Sequence, residues 1–572
     1  MFSIEVNNRI ISVKKGETIL TALRRNGIQV PTLCNMKDFT PTGACRMCVV
    51  EAEGNEALLP SCSIMVAEGM KIKTHSPRVL KARKTIVELL LSNHPDDCLY
   101  CERNGNCELQ KMAEDLNVRE RRIPGKKSRF KIDKSSASII RDPAKCILCG
   151  RCVRVCEEIQ SVSTFDFINR GSKLTISPSM NKPLNFSNCI SCGQCVMFCP
   201  TGALTEKTQF AELDSSLHDP SKMVIVQYSP VTAVSITDEF NLKPGKDVNG
   251  LINAALRKIG FNKVFETSFG ADLLTVEQTE EFMSRMESGE NIPLITGCCP
   301  SWIRYAEQFT PDLLNNITRI KSPQQITGAL IKTWVAEKYN FASGDIYSVS
   351  IMPCTAMKME AQRAEMTQKG LSDIDAVITT RELVRLIKLN GIDMHNLEPE
   401  PLDEPLGSLS STGKLFGISG GPLESLLRTI FYKYTGEELN PQKLIKLRNT
   451  KRFKELSLRM GDRDIEVIAV SGMTNARKVL DEIRTKTSKY HIIEIQACPG
   501  GCINGGGQPI GCGENTIKNR GKSLYDFDNT EIIKAAHKNP QIINVYSEFL
   551  KETNSIKCRE LFSVKYLQNV NV

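Results

Sequence analysis

The pattern of polar and apolar positions divides the chain into two textures. The first residues, MFSIEVNNRIISV, alternate as in a half-buried strand. SPRVLKARKTIVELLLSN, residues 76–93, predicts a helix with Ser76 as its cap and Pro77 at the first helical position. From about residue 210 apolar runs alternate with amphipathic stretches. MVIVQYSP leads into a helical segment, IPLITG into CCPSWIRYAEQF, and IYSVSIMPC into TAMKMEAQRAE. DAVITT leads into RELVRLIKLNGI, where Asn390-Gly391 is a helix stop. IEVIAVSGM and HIIEIQAC are two more buried strands. This alternation predicts an α/β region with mostly parallel sheets.

Length and composition narrow the class. A chain of 572 residues exceeds one core, so three or more domains are expected. A hydrophobic content of 41% is ordinary for a globular protein. No run of 18 apolar residues is present, so no membrane span is expected. The N-terminus lacks the layout of a signal peptide, which predicts a cytoplasmic protein. The net charge of +9 is modest and gathers in places such as RERRIPGKKSRFK, residues 119–131. That stretch reads as a solvated linker, or more sharply as a docking surface for an acidic redox carrier; nucleic acid is not an expected partner. The 22 cysteines change the picture most. In a reducing compartment clustered cysteines are metal ligands or catalytic thiols rather than disulfides.

The cysteines fall into groups. Cys34, Cys45, Cys48 and Cys62 are spaced C-x10-C-x2-C-x13-C, and the loop PTGACRMC lets backbone N–H groups approach sulfur. His94, Cys98, Cys101 and Cys107 form His-x3-Cys-x2-Cys-x5-Cys. Either set could also hold structural zinc. CILCGRCVRVC and CISCGQCVMFCP then repeat C-x2-C-x2-C-x3-C, and in such pairs the fourth cysteine of each run ligates the other [4Fe–4S] cluster. Cys146, Cys149, Cys152 and Cys199 are thus one expected set, and Cys156, Cys189, Cys192 and Cys195 the other. Residues 1–209 read as an electron wire. In the α/β region Cys298 and Cys299 end one strand, Cys354 a second and Cys498 a third, with Cys502 close behind. Strand ends are where open α/β sheets bind ligands, so a metal site is expected there. The glycines of CPGGCINGGGQP suggest backbone packed closely against a bulky group. No Lys-Ser/Thr follows them, which weakens a phosphate-loop reading. Cys512 and Cys558 lie outside any motif and are expected to be structural.

TGCCPSW, MPCTAMKME and EIQACPGGCINGGGQP resemble the three signature motifs of [FeFe]-hydrogenases. With the N-terminal groups, nearly the whole chain resembles the monomeric, multi-cluster clostridial type. The first two cysteine groups are similar to the [2Fe–2S] and His/Cys3 [4Fe–4S] domains of that family and of respiratory complex I. The resemblance implies one [2Fe–2S] cluster, three accessory [4Fe–4S] clusters and an H-cluster, a [4Fe–4S] cube joined to a diiron subsite with CO, cyanide and a dithiolate. It implies Cys299, Cys354, Cys498 and Cys502 as cube ligands, Cys502 as the bridge, and Cys298 as the proton donor to the subsite. It implies reversible 2H⁺ + 2e⁻ to H₂, ferredoxin or a similar carrier as partner, and maturation proteins for the subsite. The implied divisions are 1–78, 79–125, 126–209 and 210–572, the last holding two parallel-sheet lobes and a small-subunit-like segment behind small α+β ferredoxin-like domains.

Several positions depart from the family pattern. Gly297 replaces a serine, Met357 a lysine that hydrogen-bonds a cyanide, and Val231 a serine that meets the other cyanide. Lys358 is one position off on a helix, turned by about 100°. On the implied proton route Gln278 replaces a glutamate, while Glu281, Arg285 and Thr318 match later members; Glu277 or Glu280 are candidate stand-ins. Gln324, Met352 and Phe416 match positions around the subsite, and Gln496 stands where a methionine is usual. Two other readings compete: a hydrogen sensor or low-activity, uptake-biased member of the family, and an electron-transfer subunit of a larger complex.

Overall fold

The computed structural model describes the chain except Met1, Arg121, Ser128, Arg129, residues 243–246, Cys512 and residues 569–572. The structural role expected of Cys512 lies outside the described residues.

The N-terminal sheet has strands β1 (Phe2–Val6), β2 (Arg9–Val13), β3 (Val49–Ala52), β4 (Leu59–Pro60) and β5 (Lys71–Lys73) in the order β2-β1-β5-β3-β4. Its first hairpin is the alternating stretch of the sequence, antiparallel from Phe2–Val13 to Val6–Arg9. The helix Pro77–Asn93 follows, and the Ser76 side chain accepts from the Val79 N–H. Two small pairs come next. β6 (Ile139–Arg141) pairs with β9 (Leu204–Glu206), and β7 (Asp166–Ile168) with β8 (Thr175–Ser177).

Two four-stranded sheets form the second half. β10 (Met223–Tyr228), β11 (Lys263–Glu266), β13 (Ile346–Met352) and β16 (Ala376–Thr379) make an all-parallel sheet in the order β11-β10-β13-β16. Every position of β10 and β16 is buried, and both are mostly apolar, as strands covered on both faces require. β12 (Leu294–Ile295), β17 (Phe453–Met460), β18 (Arg463–Ser471) and β19 (Ile492–Gln496) make the other, in the order β12-β19-β18-β17. Here β17 is antiparallel to β18. β14 (Thr367–Gln368) and β15 (Leu371–Ser372) form a separate short hairpin.

One expectation about placement needs correcting. The cysteines do not end strands. β12 stops at Ile295, so Cys298 and Cys299 lie in the turn beyond it, with Cys299 capping the helix Pro300–Phe309. Pro300 is the cause: it fixes φ for a first helical residue and disfavours helix at the residue before it. Cys354 and Cys498 likewise lie two residues past Met352 and Gln496.

Candidate iron–sulfur active site

The four N-terminal thiols converge. Cys34 hydrogen-bonds with Cys45 and Cys62, which holds it below the ordinary thiol range, and Cys62 also meets Cys48. In the next group the His94 Nδ1 faces the Pro95 carbonyl at 3.0 Å, while its Nε2 is buried without a hydrogen-bond partner. A ring held by one nitrogen with the other bare has the arrangement of a metal ligand. Cys107 is half-buried and Cys98 is exposed, so this group lies near the surface. Cys101 lies against the ferredoxin-like repeat: a Cβ on Gly202, just past Cys199, would stand 2.6 Å from its sulfur.

The repeat interleaves as its spacing implies. Cys146, Cys149, Cys152 and Cys199 line one apolar pocket. Burial first, and then proximity to Cys199, pushes the Cys146 thiol up to about 11 and Cys149 to about 12. Burial and then the neighbouring thiols Cys189 and Cys156 raise Cys195; burial and then Cys156 raise Cys189 to about 11. Cys192 is raised by burial, then by Cys195, then by Cys498 of the catalytic half. The Gln194 Nε2 bridges the same junction, 3.2 Å from the Cys498 sulfur and 2.9 Å from the Asn504 carbonyl.

At the catalytic centre the sequence builds the turn from several sides. The Thr296 N–H pairs with the Ile493 carbonyl of β19, and the buried Trp302 indole donates to the Thr296 carbonyl at 3.1 Å. From the second motif, the Thr355 hydroxyl donates to the Ser191 carbonyl at 2.8 Å. From the third, glycines permit contact that no side chain could. A Cβ on Gly505 would lie 2.3 Å from the Pro353 carbonyl, and one on Gly506 2.2 Å from that of Cys192. Three loops and the ferredoxin-like repeat are thereby pressed together. Burial, followed by their mutual proximity, raises Cys354 to about 12 and raises Cys498 and Cys502 well above the thiol range. Burial also raises Cys298 and Cys299. Among the described residues no three His, Cys, Asp or Glu side chains converge as ligands of a single ion.

Beside this quartet is a cavity lined by Ser229, Pro230, Thr267, Ala271, Cys298, Cys299, Pro323, Gln324, Met352, Pro353, Met357, Gly413, Phe416, Gly417, Gln496 and Cys502. It collects Cys298 together with Gln324, Met352, Met357, Phe416 and Gln496. It does not collect Val231, whose side chain instead fills the space above Gly417, 1.7 Å from where a Cβ there would stand. Lys358 is no substitute for a cavity lysine. It is fully buried, paired with Glu382 at 2.9 Å and donating to the Val377 carbonyl at 2.5 Å. Gly297 is explained by its neighbour: a Cβ there would lie 2.8 Å from the Thr318 methyl. The threonine's extra carbon occupies the room that a serine at 297 would need.

The expected proton route is assembled in part. The Thr318 hydroxyl donates to Glu281 at 2.5 Å, and the Arg285 guanidinium pairs with the same carboxylate at 2.5 Å. All three line a pocket open to solvent. Gln278 is buried near them with its Nε2 unpartnered. Of the stand-ins, Glu280 pairs with Lys433, whereas Glu277 lines the same open pocket and accepts from the Tyr546 hydroxyl at 2.5 Å. Cys558, left without a motif, is buried, with its thiol 3.4 Å from the Glu552 carbonyl. Sequence reasoning missed Ser229 at the cavity and the Gln194 bridge; neither position carries a spacing signal.

Comparison with known proteins agrees with this geometry. Residues 222–506 match the family described as iron only hydrogenase large subunit, C-terminal domain, and residues 514–569 match iron hydrogenase small subunit. Residues 1–77 match a 2Fe-2S iron-sulfur cluster binding domain, 83–122 an NADH-ubiquinone oxidoreductase-G iron-sulfur binding region, and 137–205 a ferredoxin-like domain of NADH-quinone oxidoreductase subunit 3. The chain is 39% identical to an NADP-reducing hydrogenase subunit of Solidesulfovibrio fructosivorans, over 99% of both chains. It is 34% identical to iron hydrogenase 1 of Clostridium pasteurianum, over 99% of this chain and all of that one. A solved [FeFe]-hydrogenase of Chlamydomonas reinhardtii superposes with a TM-score of 0.57 at 32% identity, covering 63% of this chain and 99% of that one. Cysteine quartets, glycine-packed loops and full-length similarity together show that the chain belongs to the iron-only, or [FeFe], hydrogenase family.

Proposed function

We propose that this chain interconverts protons, electrons and H₂ at an H-cluster held between its two catalytic sheets. It is an oxidoreductase acting on hydrogen, with iron–sulfur groups relaying electrons. The observation that carries the finer reading is the convergence of Cys299, Cys354, Cys498 and Cys502 beside a cavity that also receives Cys298. The residues present fit the group: a buried quartet of thiols, glycines at the points of closest approach, and a largely apolar cavity beside them into which Cys298 and Cys502 both open. When bound, the H-cluster supplies the iron at which H₂ is made or split.

The chain's own residues do the rest. Cys299, Cys354, Cys498 and Cys502 hold the cube, with Cys502 lining the cavity on the subsite side. Cys298 carries the proton. Its burial keeps the thiol protonated near pH 7; donating that proton leaves a thiolate, whose charge is removed when the next proton arrives. Trp302 and the Thr296 pairing hold the turn that aims it. Glu281 and Thr318 take protons between solvent and the interior, and Arg285 holds the Glu281 carboxylate in place. Four further sets carry electrons: one [2Fe–2S] at Cys34, Cys45, Cys48 and Cys62, one [4Fe–4S] at His94, Cys98, Cys101 and Cys107, and two at the interleaved repeat. The set containing Cys192 is the last step before Cys498, with Gln194 between them. Ferredoxin or a similar small carrier is the proposed redox partner, and maturation proteins the source of the diiron subsite. The division into 1–78, 79–125, 126–209 and 210–572 follows the same assignment.

Infrared spectroscopy of protein co-produced with maturation proteins tests the reading. CO and cyanide stretching bands, together with H₂ evolution from reduced ferredoxin, are the expected outcome. Matured protein without those bands would overturn it.

A further inference from the structure

The cavity beside Cys298 contains few groups able to donate a hydrogen bond, and they are not where the family pattern puts them. Met357 has no donor, Lys358 is committed to Glu382 and the Val377 carbonyl, and Val231 packs on Gly417 outside the cavity. Thr267 spends its hydroxyl on the Tyr228 carbonyl at 3.2 Å, while the Ser229 hydroxyl accepts from the Val231 N–H at 3.4 Å and keeps its own hydrogen at the Pro230 wall of the cavity. The Gln324 Nε2 is held by Glu360 at 3.0 Å and by the Met357 carbonyl at 3.4 Å, so that side chain offers the cavity its oxygen.

Gln496 is different. It is 3% exposed, ends β19 two residues before Cys498, and lines the same cavity as Met357. Its Oε1 has no partner, and its Nε2 has one, the Phe416 carbonyl at 3.5 Å, the limit of a hydrogen bond. A carboxamide carries two N–H donors, so at least one is unspent. The side chain is held in place by close packing rather than by polar contacts. Its oxygen lies where a Cβ on Gly501 would come within 2.5 Å, so only glycine beside Cys502 leaves it room. Leaving the N–H of a buried carboxamide this poorly paired is costly, and a ligand accepting from it would recover that part of the cost.

We propose that Gln496 donates a hydrogen bond to a cyanide ligand of the diiron subsite, taking over the role that a lysine or serine plays elsewhere in the family. CO and cyanide present only acceptor atoms, which matches an N–H and excludes the Gln324 oxygen. The donor approaches from the β19 side instead of from the helix Ala356–Ala361. Gln496 acts as a positioning and tuning residue: it draws electron density from the ligand, and through it from iron, without taking part in bond making.

This inference rests on the H-cluster reading, and one spectrum separates the two. The matured, full-length protein must first give CO and cyanide bands; if it gives none, the H-cluster reading fails. With bands present, Gln496→Met removes both N–H groups at nearly constant volume. Losing the donor returns electron density to iron, which strengthens back-donation. The carbonyl bands should fall in frequency and one cyanide band should move, while the electron paramagnetic resonance of the accessory clusters stays unchanged. Gln496→Asn, which keeps the amide but withdraws it by one methylene, should shift the same bands in the same direction and guards against a failure of the methionine variant to load. Spectra of both loaded variants superposing on that of the parent would overturn the proposal.

Discussion

At the residue scale, the unusual positions resolve into matched pairs. Gly297 goes with Thr318, because the methyl of Thr318 takes the space a Cβ at 297 would need, and the Val231 side chain occupies the space that Gly417 leaves open. Such arrangements keep the space filled while removing polar groups, which alters the surroundings of the site. Two outcomes belong here. Cys298→Ser replaces a thiol by a far weaker acid of similar size. H₂ evolution should fall by about 10²-fold or more, with the infrared bands retained. His94→Cys exchanges a neutral ligand for an anionic one, so a redox titration followed by electron paramagnetic resonance should show that cluster's potential fall. An unchanged potential would mean that the bare Nε2 is not a ligand.

At the element scale, the start of the helix Gly421–Thr435 governs the cavity wall. Glu494, fully buried on β19, accepts from the Gly420 N–H at 2.8 Å and the Leu423 N–H at 3.0 Å. The loop it anchors carries Phe416 and Gly417 into the cavity. Burial pushes the Glu494 carboxyl up to about 7, only partly offset by those two N–H groups and by Lys454. The sign follows from proton counting. As pH rises from the ordinary 4.5 towards 7 the unfolded chain loses this proton and the folded one keeps it, so stability falls. The loss reaches up to about 3 kcal/mol for a shift of this size. Glu494→Gln should flatten the pH dependence of the thermal midpoint across that window. A parallel displacement at every pH would show that the carboxyl does not titrate there.

At the scale of the whole molecule, the electron wire is fastened to the catalytic half by buried polar contacts. Arg381, on the helix after β16, pairs with Glu206 of β9 at 3.0 Å and donates to the Gly506 carbonyl at 2.7 Å. Burial opposes ionisation of Glu206, but the guanidinium prevails and holds the carboxyl down at about 2. Arg381→Met would strand that charge. The expected cost is about 3–5 kcal/mol, seen in calorimetry as a lower midpoint or as separate melting of the two halves. Midpoints within error of the parent would show that the pair is not what docks them.

Much of this was legible in the sequence because ligand spacing is a local property. The interleaved repeat, the helix opening at Ser76-Pro77, and the three cysteine-bearing motifs are encoded in a few consecutive residues each. The α/β alternation was legible for the same reason, although the antiparallel β17 was not, since strand direction depends on a distant partner. Direction of side chains was beyond reach as well. Lys358 reads as a near miss for a cavity lysine, and only the fold reveals that it belongs to Glu382. Glu277 and Glu280 read alike, yet one faces Tyr546 at the open pocket and the other Lys433.

The sequence by itself therefore determined which atoms can hold iron and roughly in what order, because thiol spacing and glycine placement are written along the chain. Only the tertiary structure decided which polar groups face the cavity. That depends on contacts between segments hundreds of residues apart, where one methyl group on Thr318 or one missing Cβ at Gly417 settles which side chain fits.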